Sequence, residues 1–395
     1  MSITLRSETD LRKYKDYRNK EKLSLKNLNF RLIAWVLLLN IIGILVIRSA
    51  ANGERYLVEK EIAGVCAGVV VMGIAAYINY RRICSLSPLI YAGCAVILAL
   101  VLILGRGRGV TRRWIVLPVL GQLQPSEFVK TAIIIFFADW IGDRSGKIND
   151  VKTLLLIAAL GGFQLLLIFL EPDLSTTIVI FICIVSMVYA AGLSYKWIVR
   201  ILAVAVPSMM GFLFLLSNNV IPFIQEYQAK RILAFFNKER YADANIQQDN
   251  SIMAIASGQL TGKGLNNNTL ASVKNGNFLA EEHTDFIFAV LGEELGFIGC
   301  IVVIILYTLI VYECLLMAHR SADMTGKILC TGVGVMIGFQ AFTNIAVATG
   351  IFPNTGLPLP FISYGVSSLL GMYLGIGMVL SVGLRRDEEI DRRFS

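Results

Sequence analysis

Ten stretches of largely apolar sequence, each near the length that crosses a lipid bilayer, constrain this chain more than any other feature. They run 31–49, 61–78, 87–105, 126–141, 152–170, 174–192, 197–217, 286–311, 328–348 and 366–384. The hydrocarbon core of a bilayer takes about 20 helical residues to span. Inside lipid every backbone group has to be paired within its own segment, so blocks of this kind fold as helices. The expectation is therefore an all-α, polytopic integral membrane protein with about ten transmembrane helices. A composition of 56% hydrophobic and only 16% charged residues agrees with that class. The least regular block is 126–141, which carries Glu127 and Lys130.

Residues 1–30 form a basic head holding Arg6, Arg12, Lys13, Lys15, Arg18, Lys20, Lys22 and Lys26. The apolar block after it is too long for a cleavable signal peptide and has no clear small-residue cleavage pattern, so it is expected to remain as a span. Positive charge flanking a span is retained in the cytoplasm. Counting outward from the head places Arg81 and Arg82, Arg144 and Lys147, Lys196 and Arg200, and Arg320 and Lys327 inside. The tail 385–395, with Arg385, Arg386, Arg392 and Arg393, also falls inside. Both termini are thus expected to be cytoplasmic. The net charge of +8 is accounted for by flanks that meet anionic membrane lipids, and no nucleic acid partner is expected. The seven cysteines lie within or close to spans, which suits small buried hydrophobes and not a disulfide scaffold.

Two connections break the pattern. The stretch 105–114 carries Arg106, Arg108, Arg112 and Arg113 on the side where the charge rule disfavours them, followed by Trp114. Either the topology differs or the charge is wanted there; an anionic headgroup would be a reason, because guanidinium forks match phosphate oxygens. The second is the long extracellular loop 218–285, too long for structureless chain and expected to hold short helices near the membrane surface. Its segment Tyr227–Phe236 mixes cationic and apolar residues as an interfacial helix does. The stretch Gly258–Asn277 reads as turns and mobile chain. This loop is expected to wall or cover an external site.

The loop ends in Glu281-Glu-His283-Thr-Asp285, just before an apolar helix. Asp285 could simply cap that helix, or it could serve chemistry. Glu293 and Glu294, two turns deeper, need a partner or a polar cavity, because an ionised acid in lipid is costly. Glu127 and Lys130, three apart, share a helical face and read equally well as a buried structural pair or a substrate contact. Glu171 and Asp173 flank Pro172 between two spans, where they could cap the following helix. In Gly350–Gly365 prolines and glycines prevent a regular spanning helix, which points to a broken helix facing a cleft. Gly258–Gly264 lacks the spacing of a nucleotide phosphate loop, which excludes transport driven by an ATPase of this chain. No dedicated zinc site is expected from two histidines without a His/Cys cluster.

Taken in order, Arg113-Trp114, Gln124-Pro-Ser-Glu127 with Lys130, Glu171-Pro-Asp173, the run 282–296 and the run 353–369 resemble the shape, elongation, division and sporulation (SEDS) family of membrane-embedded peptidoglycan polymerases. The resemblance covers nearly all of the chain after Asn29, and its frame of residues 31–384 has the ten spans of that family. It implies an inverting peptidoglycan glycosyltransferase that polymerises lipid II into β-1,4 glycan on the outer face of the bacterial cytoplasmic membrane, releasing undecaprenyl pyrophosphate. By family position Asp285 is the catalytic base. Arg113 and Lys130, with Arg112 in reserve, would meet the pyrophosphate, and Trp114 would anchor the cleft. Glu127, Glu171, Asp173, His283, Glu293, Glu294, Ser363 and Tyr364 would support. A divalent cation, Mg2+ or Mn2+, could bridge carboxylate and pyrophosphate, although no ligand cluster identifies one. The resemblance also implies lipid II and nascent glycan as ligands and a class B penicillin-binding transpeptidase as partner. The rod-elongation member is preferred; the division and sporulation members, a lipid II transporter and a transpeptidase scaffold are the alternatives.

Overall fold

The computed structural model describes residues 24–51, 54–105, 113–117, 121–217, 226–237, 239–265 and 283–385. Helices coincide with all ten apolar blocks. They are α1 (Phe30–Ala50), α2 (Arg55–Tyr77), α4 (Ser87–Leu104), α5 (Pro125–Gly142), α6 (Val151–Leu170), α7 (Leu174–Ala190), α8 (Tyr195–Ser217), α11 (Ile287–His319), α12 (Met324–Ala348) and α13 (Val366–Gly383). A short helix α3 (Tyr80–Ser85) joins α2 to α4, and the long loop holds α9 (Glu226–Phe236) and α10 (Ala242–Ser257). Five helices, α1, α6, α11, α12 and α13, are long and apolar enough to cross a membrane. The chain is a multi-pass helical membrane protein. One element departs from an all-α reading: Ile115–Leu117 (β1) pairs antiparallel with Gly121–Leu123 (β2). Three-residue strands carry no periodicity long enough to read in a sequence.

The bundle is centred on α12 and α13. Apolar area drives little association between helices in lipid, so close packing at small residues has to supply it. A Cβ on Gly68 of α2 would overlap the Tyr373 ring of α13, and one on Gly64 would sit 3.3 Å from Val366. Gly43 of α1 lies against the irregular segment 350–365, where an added Cβ would be 2.8 Å from Ile362 Cα.

That irregular segment keeps its backbone paired, as non-helical chain in an apolar surround must. Asn344 Nδ2 donates to Leu357 O at 2.7 Å and Gln340 Nε2 to Pro358 O at 3.0 Å. Tyr307 OH donates to Pro360 O, and Ser363 Oγ accepts from Leu359 N at 2.7 Å. Gly350 and Gly356 take φ of +76° and +70°, which glycine adopts without steric cost.

Helix α11 is broken at Gly296, with φ +65° and ψ −166°. The stretch 258–264, expected to be mobile, is instead docked on this break; the remainder, 266–277, lies outside the described residues. Lys263 N and Gly264 N donate to the carbonyls of Glu293 and Glu294, each at 3.0 Å. In return Phe297 N and Ile298 N donate to Gln259 O and Leu260 O, at 2.9 and 3.1 Å. The loop thus satisfies the groups that the break frees. Gly296→Ala would put a Cβ 2.3 Å from Gly262 N on a backbone that already disfavours it. We expect it to destabilise by more than about 1 kcal/mol, seen as lowered thermal unfolding, whereas Gly73→Ala, whose Cβ meets nothing within 4 Å, is neutral or better.

Candidate active site

Asp285 lies in the turn just before α11. Its neighbour Phe286 occupies the N-cap position without a side-chain cap bond, so Asp285 is not the cap of this helix. Three successive carbonyls of the turn are held by other elements. His283 O accepts from Tyr364 N at 2.9 Å. Thr284 O accepts from Ser363 Oγ at 2.6 Å, and Asp285 O from Asn344 Nδ2 at 2.8 Å. The His283 and Tyr364 rings meet edge to face, with centroids 5.9 Å apart. The half-buried Asp285 carboxylate therefore projects from a backbone that is fixed on both sides, the pre-organisation that a proton-transfer group needs.

A cation shares its surroundings. A Cβ on Gly356 would lie 3.2 Å from Asp285 Oδ2 and 3.5 Å from Arg231 Nη1, so both groups converge over this glycine. Arg231 is on α9, the segment expected to be interfacial. No motif pointed to it; its signal was a cation on an amphipathic helix in the loop that precedes Asp285.

Lys130 is 1% exposed. Its Nζ lies 2.8 Å from Glu127 Oε2 and donates to Gln340 Oε1 at 2.9 Å. The pair foreseen on one face of α5 is thus present and buried, and its ammonium is also tied to α12. Gln340 and Asn344 are one helical turn apart. Between them they hold the Lys130 ammonium, the Asp285 carbonyl and the carbonyls of Leu357 and Pro358. Two amides at a four-residue interval in an otherwise apolar span were a legible signal that the motif reading passed over.

A second polar group surrounds Arg113. Its Nε donates to Glu171 O at 3.1 Å and its Nη1 stands 3.8 Å from Asp173 Oδ1. Asp173 caps α7 by accepting from Thr176 N at 3.1 Å, and Gln124 Nε2 reaches its other oxygen at 3.3 Å. Trp114 is half-buried beside Arg113, at the start of the hairpin. Glu171 is the C-cap residue of α6 and does not cap α7; burial first, then the neighbouring Asp173, push its carboxyl up to about 8, with Arg113 acting in the opposite sense. One turn into α7, Ser175 Oγ donates to Thr355 O, next to Gly356, which links this group to Asp285 and Arg231. Arg112 lies outside the described residues.

Glu293 and Glu294 belong elsewhere. Glu293 Oε1 is 2.7 Å from Lys263 Nζ, and Glu294 accepts from Ser49 Oγ, so both fasten the docked loop and α1 around the break in α11. Among the described residues no group of three or more His, Cys, Asp or Glu converges on one point as a metal site would. Glu171 and Asp173, the acids that lie together, already stand beside the Arg113 guanidinium, whose charge disfavours a second cation there.

A multi-pass helical bundle that fixes a carboxylate beside Arg231, at the end of its most buried helices, is a membrane-embedded protein with a polar site at one end. The chain belongs to the FtsW, RodA and SpoVE family, described as cell cycle proteins, whose profile matches residues 29–388. It is 32% identical over 352 residues to the peptidoglycan glycosyltransferase MrdB of Escherichia coli K12, covering 89% of this chain and 92% of that protein. It is 33% identical over 373 residues to the probable peptidoglycan glycosyltransferase FtsW of Nitrosomonas europaea, covering 90% and 92%. Its fold is similar to a chain from a peptidoglycan synthase complex that coordinates polymerization and crosslinking, with TM-score 0.74 and 27% identity over 90% of this chain and 97% of that one. It is also similar to the rod shape determining protein RodA of Thermus thermophilus, with TM-score 0.67 and 25% identity over 91% and 98%.

Proposed function

We propose that this chain is an inverting peptidoglycan glycosyltransferase that polymerises lipid II, with Asp285 as its general base. The observation that carries the reading is the fixing of the 283–285 backbone by Tyr364, Ser363 and Asn344 beneath a carboxylate that converges with Arg231. Asp285 takes the proton of the acceptor sugar's 4-hydroxyl while that oxygen attacks the anomeric carbon of the lipid-linked glycan. The bond from that carbon to the pyrophosphate oxygen breaks, its electron pair leaves with undecaprenyl pyrophosphate, and the α-linked donor becomes a β-1,4 product. Pyrophosphate is a good leaving group, so a single base suffices, while fixed cations offset the charge that develops. Arg113 and Arg231 are the cations assigned to that task, and Trp114 flanks them. Lys130 acts through its bonds to Glu127 and Gln340.

The ten helices are read as ten spans with both termini in the cytoplasm and Asp285 facing outside, in keeping with the basic head and connections. Grooves between spans take the polyprenyl chain, and the 218–285 loop covers the sugars. Likeness to a chain of a synthase complex supports a transpeptidase of the penicillin-binding class as partner. Likeness to a rod shape determining protein supports an elongation role; depletion is expected to round rod-shaped cells, and filamentation would assign the chain to division instead.

Polymerisation of labelled lipid II by the purified chain in liposomes is the test. Glycan ladders are expected, with the transpeptidase added if the chain alone is silent. Movement of lipid II between leaflets without ladders would replace this reading with transport.

A further inference from the structure

Of the acids beside Arg113, Glu171 has no part in that mechanism. Glu171 is 1% exposed, and both of its carboxyl oxygens lack a hydrogen-bond partner. Arg113 directs its Nε to the Glu171 backbone carbonyl and its Nη1 to Asp173. An ionised carboxylate in this position would carry both an uncompensated charge and unused acceptors, the costliest combination a buried group can have. The neutral acid avoids the charge and leaves one O–H donor without an acceptor. Since buried donors are almost always satisfied, an exception next to an arginine calls for an acceptor that comes from outside the protein.

We propose that Glu171 serves as an uncharged carboxylic acid whose O–H hydrogen-bonds a phosphate oxygen of the ligand held beside Arg113. This rests on the reading of Arg113 as a pyrophosphate contact. Among the described residues the charges that face Glu171 are Arg113 and Asp173, and burial with Asp173 pushes its carboxyl up to about 8, so the acid form dominates at neutral pH. With Glu171 neutral, Arg113 and Asp173 cancel and the site accepts an anion. Ionisation of Glu171 would make the cluster net negative and remove the donor at once.

The test compares the whole chain in liposomes, wild type and Glu171→Gln, by the KM for labelled lipid II from pH 7 to pH 9. The competent fraction of the wild type falls with the acid form, so its KM is expected to rise about tenfold over this window. The glutamine keeps a weaker, pH-independent donor, so its KM starts about threefold higher at pH 7 and stays level. A wild-type KM that stays flat, or a parallel rise in both proteins, overturns the proposal. If Glu171→Gln folds without turning over, the same comparison is read from binding of labelled lipid II. The wild-type-minus-variant infrared difference should contain a protonated-carboxyl band at pH 7 that is lost by pH 9. That readout needs no turnover, so it separates an error about Glu171 from an error about the polymerase reading.

Discussion

Asp285→Asn is expected to abolish glycan ladders from labelled lipid II while leaving the protein folded and able to bind that lipid. The bonds that fix the 283–285 turn run through the three backbone carbonyls, to Tyr364 N, Ser363 Oγ and Asn344 Nδ2. None of these involves the Asp285 side chain, so replacing the carboxylate by an isosteric amide leaves the backbone where it is. What is lost is the basic oxygen, and general base catalysis is worth about 10²–10⁴-fold. The check is the initial rate of polymerisation beside a melting curve and a lipid II binding isotherm for the same preparation. Ladders of equal strength would move the base elsewhere, and a collapsed melting curve would turn Asp285 into a structural residue.

Lys130→Met should markedly lower the stability of the bundle. Its ammonium, 1% exposed, stands 2.8 Å from the Glu127 carboxylate, itself 4% exposed, in the packed interior. Removing one member of a buried pair leaves the other charge uncompensated, at about 3–5 kcal/mol. Gln340 Oε1 loses a donor in the same step, which loosens the brace on Pro358 O. Adding Glu127→Gln removes the stranded charge, so the double variant should recover most of the loss in thermal unfolding. A single variant of normal stability that no longer binds lipid II would instead make Lys130 a ligand contact.

Most of the fold was legible because lipid makes the rule simple: a run of about 20 apolar residues has one way to pair its backbone. The block 286–311 fell short of the helix end at His319, since polar residues such as Glu313 look like a boundary in sequence. In the structure Glu313 is buried and accepts from Asn29 Nδ2 at 2.8 Å. At the site, Asp285, Ser363, Tyr364, His283 and the Glu127–Lys130 pair could be read from motif position. Arg231, Gln340 and Asn344 belong to no motif: a cation on an amphipathic helix and two amides in a span mark them, but which distant carbonyl or carboxylate they reach does not show in the sequence. Glu293 and Glu294 stand out in the sequence as acids that need a partner in lipid. The break at Gly296 and the docking of Lys263 give them their partners.

The same break bears on how this enzyme sits in membranes of different thickness. Helix α11 has 33 residues, and a straight helix of that length would measure about 50 Å, against a hydrocarbon core of about 30 Å. Splitting it at Gly296 leaves 297–319 at about 35 Å, a length that one span absorbs with a modest tilt. The first part, 287–295, is anchored to the 258–264 loop and turns away on its own axis. Changes in tilt as the bilayer thickens or thins are then taken up below the glycine, and the turn that carries the carboxylate keeps its register with α12. One chain segment thereby serves as both lipid-adjusted span and fixed mount.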